Sequence, residues 1–369
     1  MIRPIEGTVD TIVIGVDAHK RSHTCAAVEE LTGREIRVRT AAARDAGHGQ
    51  LLEWARAVSS DRVWAVEDCR HVSSRFERFL LARGERVLRV PTKLMAGARK
   101  STRVPGKSDP IDALAVARAA IREGIDAFPA AHLDDQALEI RHLVDHRERL
   151  VGQRTALIND LRWHLHDLDP ELEIPRGRLH LRLWQQRVAG RLAAMTGRRV
   201  WVARDEIARI SELTRAINKL TDQLKELVCA YRPELLTLPG CGVLCAAKAI
   251  GETGGAQRFS TASKFARITG TAPIKASSGI KIRHRYDPGG NRQLNAVLHR
   301  IAVTQIRVHP PARAYYQRKI TEGKTPKEAL RCLKRQLANT LWKLLQPSTT
   351  NVSSRHLTPA AIHCNPPTP

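Results

Sequence analysis

The sequence predicts three regions and a tail: an α/β domain over residues 8–125, a helical coiled-coil connector over 130–230, a mainly α-helical C-terminal domain over 233–345, and a disordered tail over 346–369. Three observations predict this. β-branched runs alternate with helical periods in the first region, leucines recur at threes and fours in the second, and glycine punctuates short helical patterns in the third. The tail is rich in Pro, Ser and Thr, a composition that buries too little apolar surface to order itself.

Residues 11–17, TIVIGVD, form an apolar run ending in an acid, and RSHTCAAVEE and REIRVRTAAA follow across a Thr32-Gly33 turn. They read as three successive antiparallel strands. Leu51, Leu52, Trp54, Ala55 and Val58 then recur at helical spacing over residues 49–58, a further strand, RVWAVE, ends at Glu67, and SSRFERFLLAR, Gly84 and RVLRV repeat the order helix, turn, strand.

From Leu133 to Leu168 the period is helical, with Leu143, Leu150, Leu157, Leu161 and Leu165 spaced by sevens and fours. Ile210, Leu213, Ile217, Leu220, Leu224 and Leu227 follow the 3-4-3-4-3 spacing of a coiled-coil seam, within a rod of about 40 Å at 1.5 Å per residue. That seam closes either on a helix of the same chain or on a second copy. After Pro233, LLTLPGCGVLCAAKAIGE has the form of a helix-hairpin-helix, in which Gly240 and Gly242 let the backbone approach a phosphate and the next helix offers its amides. A tight turn between two core helices has the same pattern. Residues 291–307 and 325–345 read as helices, the latter opened by Thr325-Pro326-Lys327-Glu328, a capping box with proline at its first helical position.

The chain holds 61 Lys and Arg against 37 Asp and Glu, a net charge of +24, which points to a polyanionic partner. The excess is concentrated: 20 basic and four acidic residues lie between Cys241 and Leu345. A phosphate backbone is the natural ligand of such a segment. No apolar run of about 18 residues occurs and the opening MIRPIEGTVD lacks a signal-peptide core, so no membrane is expected and the cytoplasm is the expected compartment. Seven scattered cysteines without a Cys-x-x-Cys pair indicate neither a disulfide framework nor a structural zinc site.

Asp17 and Glu67 close two strands, so both are expected to project from neighbouring strand ends into one crevice. Asp109 and Asp112, in GKSDPIDALAVARAA, are three apart at a helix start and share a face. Each also has an ordinary use: acids end strands at turns, Asp109 suits an N-cap before Pro110, and Asp112 suits a first turn. Together, a strand Asp, a strand Glu and a helix-borne Asp pair are the parts of an RNase H-like metal site. Carboxylates so gathered repel and take up protons unless a cation lies between them, and their hard oxygens favour magnesium or manganese. Two such ions about 4 Å apart activate an attacking oxygen and stabilise a leaving oxygen at a phosphodiester.

A second candidate lies in GTAPIKASSGIKIRHRYDPGGNRQLN, where Ser277 and Ser278 precede Gly279 among Lys275, Lys281, Arg283 and Arg285. A serine there is either a loop serine or a nucleophile toward phosphorus, with basic groups stabilising the phosphorane charge.

IGVDAHK around Asp17, AVEDC around Glu67 and KSDPIDA around Asp109 and Asp112 resemble the DEDD tetrad of the insertion sequence one-ten family of bacterial transposases, which includes the pilin-gene invertase type. LLTLPGCG, FSTASKFARITGTAPIKASSG, GGNRQLNAVLHRIA and EGKTPKEALRCLKRQLA resemble that family's C-terminal transposase domain, so the likeness covers about residues 10–345 in order. The resemblance implies a RuvC-like N-terminal domain, magnesium on the four acids, and a serine that becomes esterified to DNA during recombination. Ser278, beside Gly279, is the residue the resemblance assigns, with Ser277 as the alternative. It also implies a structured, element-encoded RNA as a guide to DNA, and a bacterial, nucleoid-associated protein. One departure is Asp287 in Asp287-Pro288-Gly289-Gly290-Asn291, where many relatives carry a basic residue. The acids and the serine lie about 160 residues apart, so a composite site calls for folding back or for a dimer or tetramer. Two other readings use the same residues: a RuvC-like junction-resolving nuclease with metal-activated water, and a non-catalytic nucleic-acid binder.

Overall fold

The computed structural model describes residues 11–67, 70–91, 94, 108–128, 130–132, 134–275, 284–285 and 289–347. A five-stranded sheet, ordered β3-β2-β1-β4-β5, is built from β1 (Ile12–Ala18), β2 (Ser22–Glu29), β3 (Glu35–Ala42), β4 (Arg62–Glu67) and β5 (Val87–Val90). Tight connections make β1, β2 and β3 antiparallel. Helices α1 (Asp45–Val58) and α2 (Arg70–Leu81) return the chain, so β4 runs parallel to β1 and β5 parallel to β4. This mixed sheet with helices on both faces fits an RNase H-like domain.

β1 is buried along its whole length because it is central in the sheet and covered on both sides. Its side chains alternate. Ile12, Ile14, Val16 and Ala18 pack with Leu51, Leu52 and Ala55 of α1 and Phe76 of α2, whereas Val13 packs with Val116 and Ala120 of α3 (Asp109–Glu123). β4 divides in the same way, with Trp64 and Val66 on the α1 side and Val63 and Ala65 on the α3 side. Each such fully buried aliphatic side chain stabilises the fold by about 1.5–3 kcal/mol. The N-cap of α3 is Ser108, so Asp109 is not the cap but the first helical residue, ahead of Pro110.

Two 34-residue helices, α4 (Asp135–Leu168) and α6 (Arg198–Tyr231), form an arm about 50 Å long. Hydrogen bonds from Arg147 to Thr221 and Arg154 to Thr214, and the contact of His164 with Glu206, ascend one helix as they descend the other, so the pair is antiparallel. The leucine-rich seam thus has its partner within the chain: Ile210, Ile217 and Leu224 are buried, and Leu213, Leu220 and Leu227 are half-buried. At the tip, Val188 and Leu192 of α5 (Arg182–Ala193) close over Leu161, Leu165, Ile207 and Ile210.

At the base, Ile140, Val144, Leu224 and Val228 join one apolar core with helices that follow Pro233. These are α7 (Val243–Thr253), α8 (Ala262–Ile268), α9 (Arg292–Val308), α10 (Pro310–Thr321) and α11 (Pro326–Leu345). Thr325 and Glu328 form the reciprocal capping box that starts α11. A two-stranded ribbon, β6 (Ile274–Lys275) with β7 (His284–Arg285), stands between α8 and α9. Among the described residues, no helix is long and apolar enough to cross a membrane, and five cysteines are free.

Candidate active site

The site on the sheet begins with a missing side chain. Gly15 lies beneath α3, and a Cβ built there would stand 2.0 Å from the carbonyl oxygen of Ala113 and 2.6 Å from the amide nitrogen of Ala117. Only glycine permits this approach, and it seats the first turn of α3 beside the end of β1. Asp17, two residues beyond Gly15, faces the same side. Glu67 falls on that side of β4 by the same alternation, one residue past the paired Val16 and Val66.

Asp17 is only 5% exposed. Burial holds its carboxyl above the ordinary carboxylate range, Asp112 and Asp109 push it the same way, and His19 opposes them. His19 Nε2 lies 3.0 Å from Asp17 Oδ2 and 3.4 Å from Asp109 Oδ1. Asp17, His19 and Asp109 each bring a ligand atom within 4.8 Å of the other two. Asp112, one turn along α3, is buried. The fold therefore gathers Asp17, Asp109 and Asp112 from segments more than 90 residues apart in sequence.

This donor set fits a divalent cation. Carboxylate oxygens predominate, at least one acid carries a desolvation penalty, and the neighbouring acids raise the cost of ionising it. A cation bound among them would relieve all of these. Two residues of the cluster carry no signal in an acid-only reading: His19, which touches both aspartates, and Gly15, which brings α3 down. The pattern Asp-x-His across a strand end is the sequence signal for the first, since it sets an imidazole beside the acid where the strand gives way to a turn.

The C-terminal candidates divide. Ser277, Ser278, Lys281 and Arg283 lie outside the described residues, as does Asp287. Lys275 and Arg285 are strand residues of β6 and β7. The segment between α8 and α9 is closed at its ends. Gly290 packs so tightly on Gly270 that a Cβ on it would meet the Gly270 nitrogen at 2.2 Å, and the Asn291 amide donates to the Ile268 carbonyl at 2.5 Å. Asn291 caps α9 through its Oδ1, and its Nδ2 donates to Glu252 Oε2 at 2.6 Å.

Gly240 has φ 81°, and a Cβ built on it would stand 3.0 Å from the Thr304 Cβ and 3.1 Å from the Ile301 carbonyl oxygen of α9, so its close approach is to a helix of the same chain. Gly242 is exposed and is the N-cap of α7.

Comparison with known proteins matches two family models. The DEDD transposase model of IS110 elements, described as a transposase, matches residues 14–170, and the transposase IS116/IS110/IS902 family matches residues 232–317. The uncharacterized 42 kDa protein of insertion element IS900 from Mycobacterium paratuberculosis is 28% identical, over 92% of this chain and 98% of its own length. The uncharacterized 44.8 kDa protein of insertion element IS116 from Streptomyces clavuligerus is 27% identical, over 91% and 95%. The transposase of insertion sequence element IS1111A from Coxiella burnetii is 24% identical, over 71% and 73%. Among solved structures, T. thermophilus RuvC in complex with a Holliday junction substrate aligns over 31% of this chain and 96% of its own, with 15% identity and a TM-score of 0.25.

Proposed function

The chain belongs to the IS116/IS110/IS902 family of transposases, and from that premise we propose that it excises and inserts its own element by cutting and rejoining DNA with two cooperating groups. One is the carboxylate cluster of Asp17, Glu67, Asp109 and Asp112, holding magnesium or manganese. The other is Ser278, or its neighbour Ser277, as the attacking oxygen. The observation that carries this is the convergence of Asp17, in β1, with Asp109 and Asp112 in the first turn of α3.

Bound there, divalent ions would neutralise charge on the phosphodiester and lower the pKa of the oxygens that attack and leave. The chain's own residues do the rest. The seryl oxygen bonds to phosphorus as the bond to a deoxyribose oxygen breaks and the seryl proton passes to that departing oxygen, so the diester is kept as a protein–DNA ester; it is resealed when the hydroxyl of a second DNA end displaces the serine and returns a proton to it. Lys275, Lys281, Arg283 and Arg285 flank that serine and serve its phosphates, and the excess of basic residues after Cys241 holds the backbone. Gly242, at the free N-terminus of α7, offers amides to a further phosphate in the manner of a helix-hairpin-helix.

Joining two ends requires more than one copy, so the working form is a dimer or tetramer. An element-encoded RNA supplies base pairing to DNA, and the protein acts in the bacterial cytoplasm on the nucleoid.

The test is to incubate the full chain with magnesium, DNA carrying the element's ends and RNA transcribed from the element, and to look for a covalent adduct on a denaturing gel. Wild type is expected to form it, and Ser278→Ala to lose it at least a hundredfold. If Ser277→Ala loses it instead, the nucleophile is the neighbour. Cleavage that survives both substitutions yet fails in Asp17→Ala would identify a nuclease that uses water.

A further inference from the structure

We propose that His19 is a metal ligand of this site, so that the cation is held by two carboxylate oxygens and an imidazole nitrogen and the site prefers manganese to magnesium. The proposal rests on the reading that the acids hold a divalent ion.

Its basis is the position of one atom. His19 Nε2 lies 3.0 Å from Asp17 Oδ2 and 3.4 Å from Asp109 Oδ1. A single N–H donates well to one acceptor at a time, yet two carboxylates converge on this nitrogen. Their oxygens and the nitrogen all lie within 4.8 Å of each other, and a cation entering between them would exchange two contacts to one proton for three bonds to one ion.

The local fold prepares this arrangement. Asp17, in β1, points to the α3 face, and His19, one residue past the end of the strand, turns its Nε2 onto Asp17 and Asp109 there. The His19 amide donates to the Ser22 carbonyl at 2.9 Å, which fixes the turn that carries the ring. About half of the His19 side chain is exposed, so the ring is free to adjust, whereas the Asp17 side chain is 93% buried and committed to the site.

The chemical consequence is selectivity. Magnesium demands near-ideal octahedral oxygen coordination and dehydrates reluctantly, whereas manganese, although it too favours oxygen, belongs to the first-row divalent metals that bind mixed nitrogen and oxygen sites, so a nitrogen donor costs magnesium more than manganese. An oxygen-only site at the same place would discriminate far less between them.

The experiment is a titration of the metal-free full chain with manganese, followed by electron paramagnetic resonance, on wild type, His19→Gln and Asp17→Asn. Pulsed measurements on the wild-type complex are expected to show modulation from a directly bound imidazole nitrogen, absent in His19→Gln. That substitution should also weaken manganese binding about tenfold, with magnesium affinity, read by competition, changed far less. Thermal melting of His19→Gln checks that it remains folded. Manganese that binds in an Asp17-dependent way, without nitrogen modulation and with equal affinity in His19→Gln, would overturn the ligand assignment and leave the carboxylate reading intact. If manganese does not bind, or binds equally well to Asp17→Asn, the carboxylate reading fails and the ligand assignment falls with it.

Discussion

Asp17→Asn is expected to reduce DNA cleavage and adduct formation by about a thousandfold or more, while the metal-free protein becomes more heat-stable, not less. The first effect follows from removing the acid on which the others converge, since groups that act as a unit lose most of their effect when one is removed. The second follows from the sign of the Asp17 shift. A carboxyl whose folded pKa lies above its unfolded value favours the folded state most below the unfolded value of about 3.8, and that advantage is lost as pH rises through the folded pKa. At neutral pH, well above the unfolded value, the Asp17 carboxyl therefore opposes folding, and the neutral amide removes that opposition. The same variant should lose the rise in melting temperature that manganese gives to wild type. Calorimetry with EDTA and with manganese reads both effects. A metal-free melting temperature well below that of wild type would mean that Asp17 is structural in the ordinary way.

Gly15→Ala is expected to abolish the same activity with every acid still in place. The added methyl would lie 2.0 Å from the Ala113 carbonyl and 2.6 Å from the Ala117 amide. Both are helix backbone and cannot swing aside, so α3 must move as a body and take Asp109 and Asp112 with it. Overpacking of this kind costs about 3 kcal/mol, equivalent to a fall of about 5–10 °C in melting temperature. Gly152→Ala is the matched control, because its site has nothing within 4 Å and lies in the interior of α4. That change should leave the melting temperature the same or slightly higher. A Gly15→Ala protein with wild-type cleavage would show that the spacing between β1 and α3 does not matter to the acids.

The sheet was legible in the sequence because its strands carry their own signals: β-branched runs, a Thr-Gly turn, and acids at strand ends, with boundaries correct to within one or two residues. The capping box at Thr325 was legible for the same local reason. Helices α5, α8 and α10 were not, because α8 is seven residues long and α5 and α10 bury few side chains, so their apolar periods are weak. Helix α1 starts at Asp45, before its apolar spacing begins, and Gly47 in its first turn fits closely over the backbone of Ala42, a local contact that leaves no trace in the apolar period. In the site, the four acids stood out by residue type and position. His19 and Gly15 did not, since their roles depend on the approach of a helix about 90 residues distant in sequence. The seam of α6 announced a partner, but spacing alone does not distinguish α4 of the same chain from a second copy.

The most direct measurement is anomalous diffraction from crystals of the full chain grown with manganese and a DNA end. The expected result is a manganese peak bonded to carboxylate oxygens of Asp17 and of the α3 aspartates, with a DNA phosphate on its open side. Manganese absent from that crevice at saturating concentration, or bound only elsewhere on the chain, would contradict it.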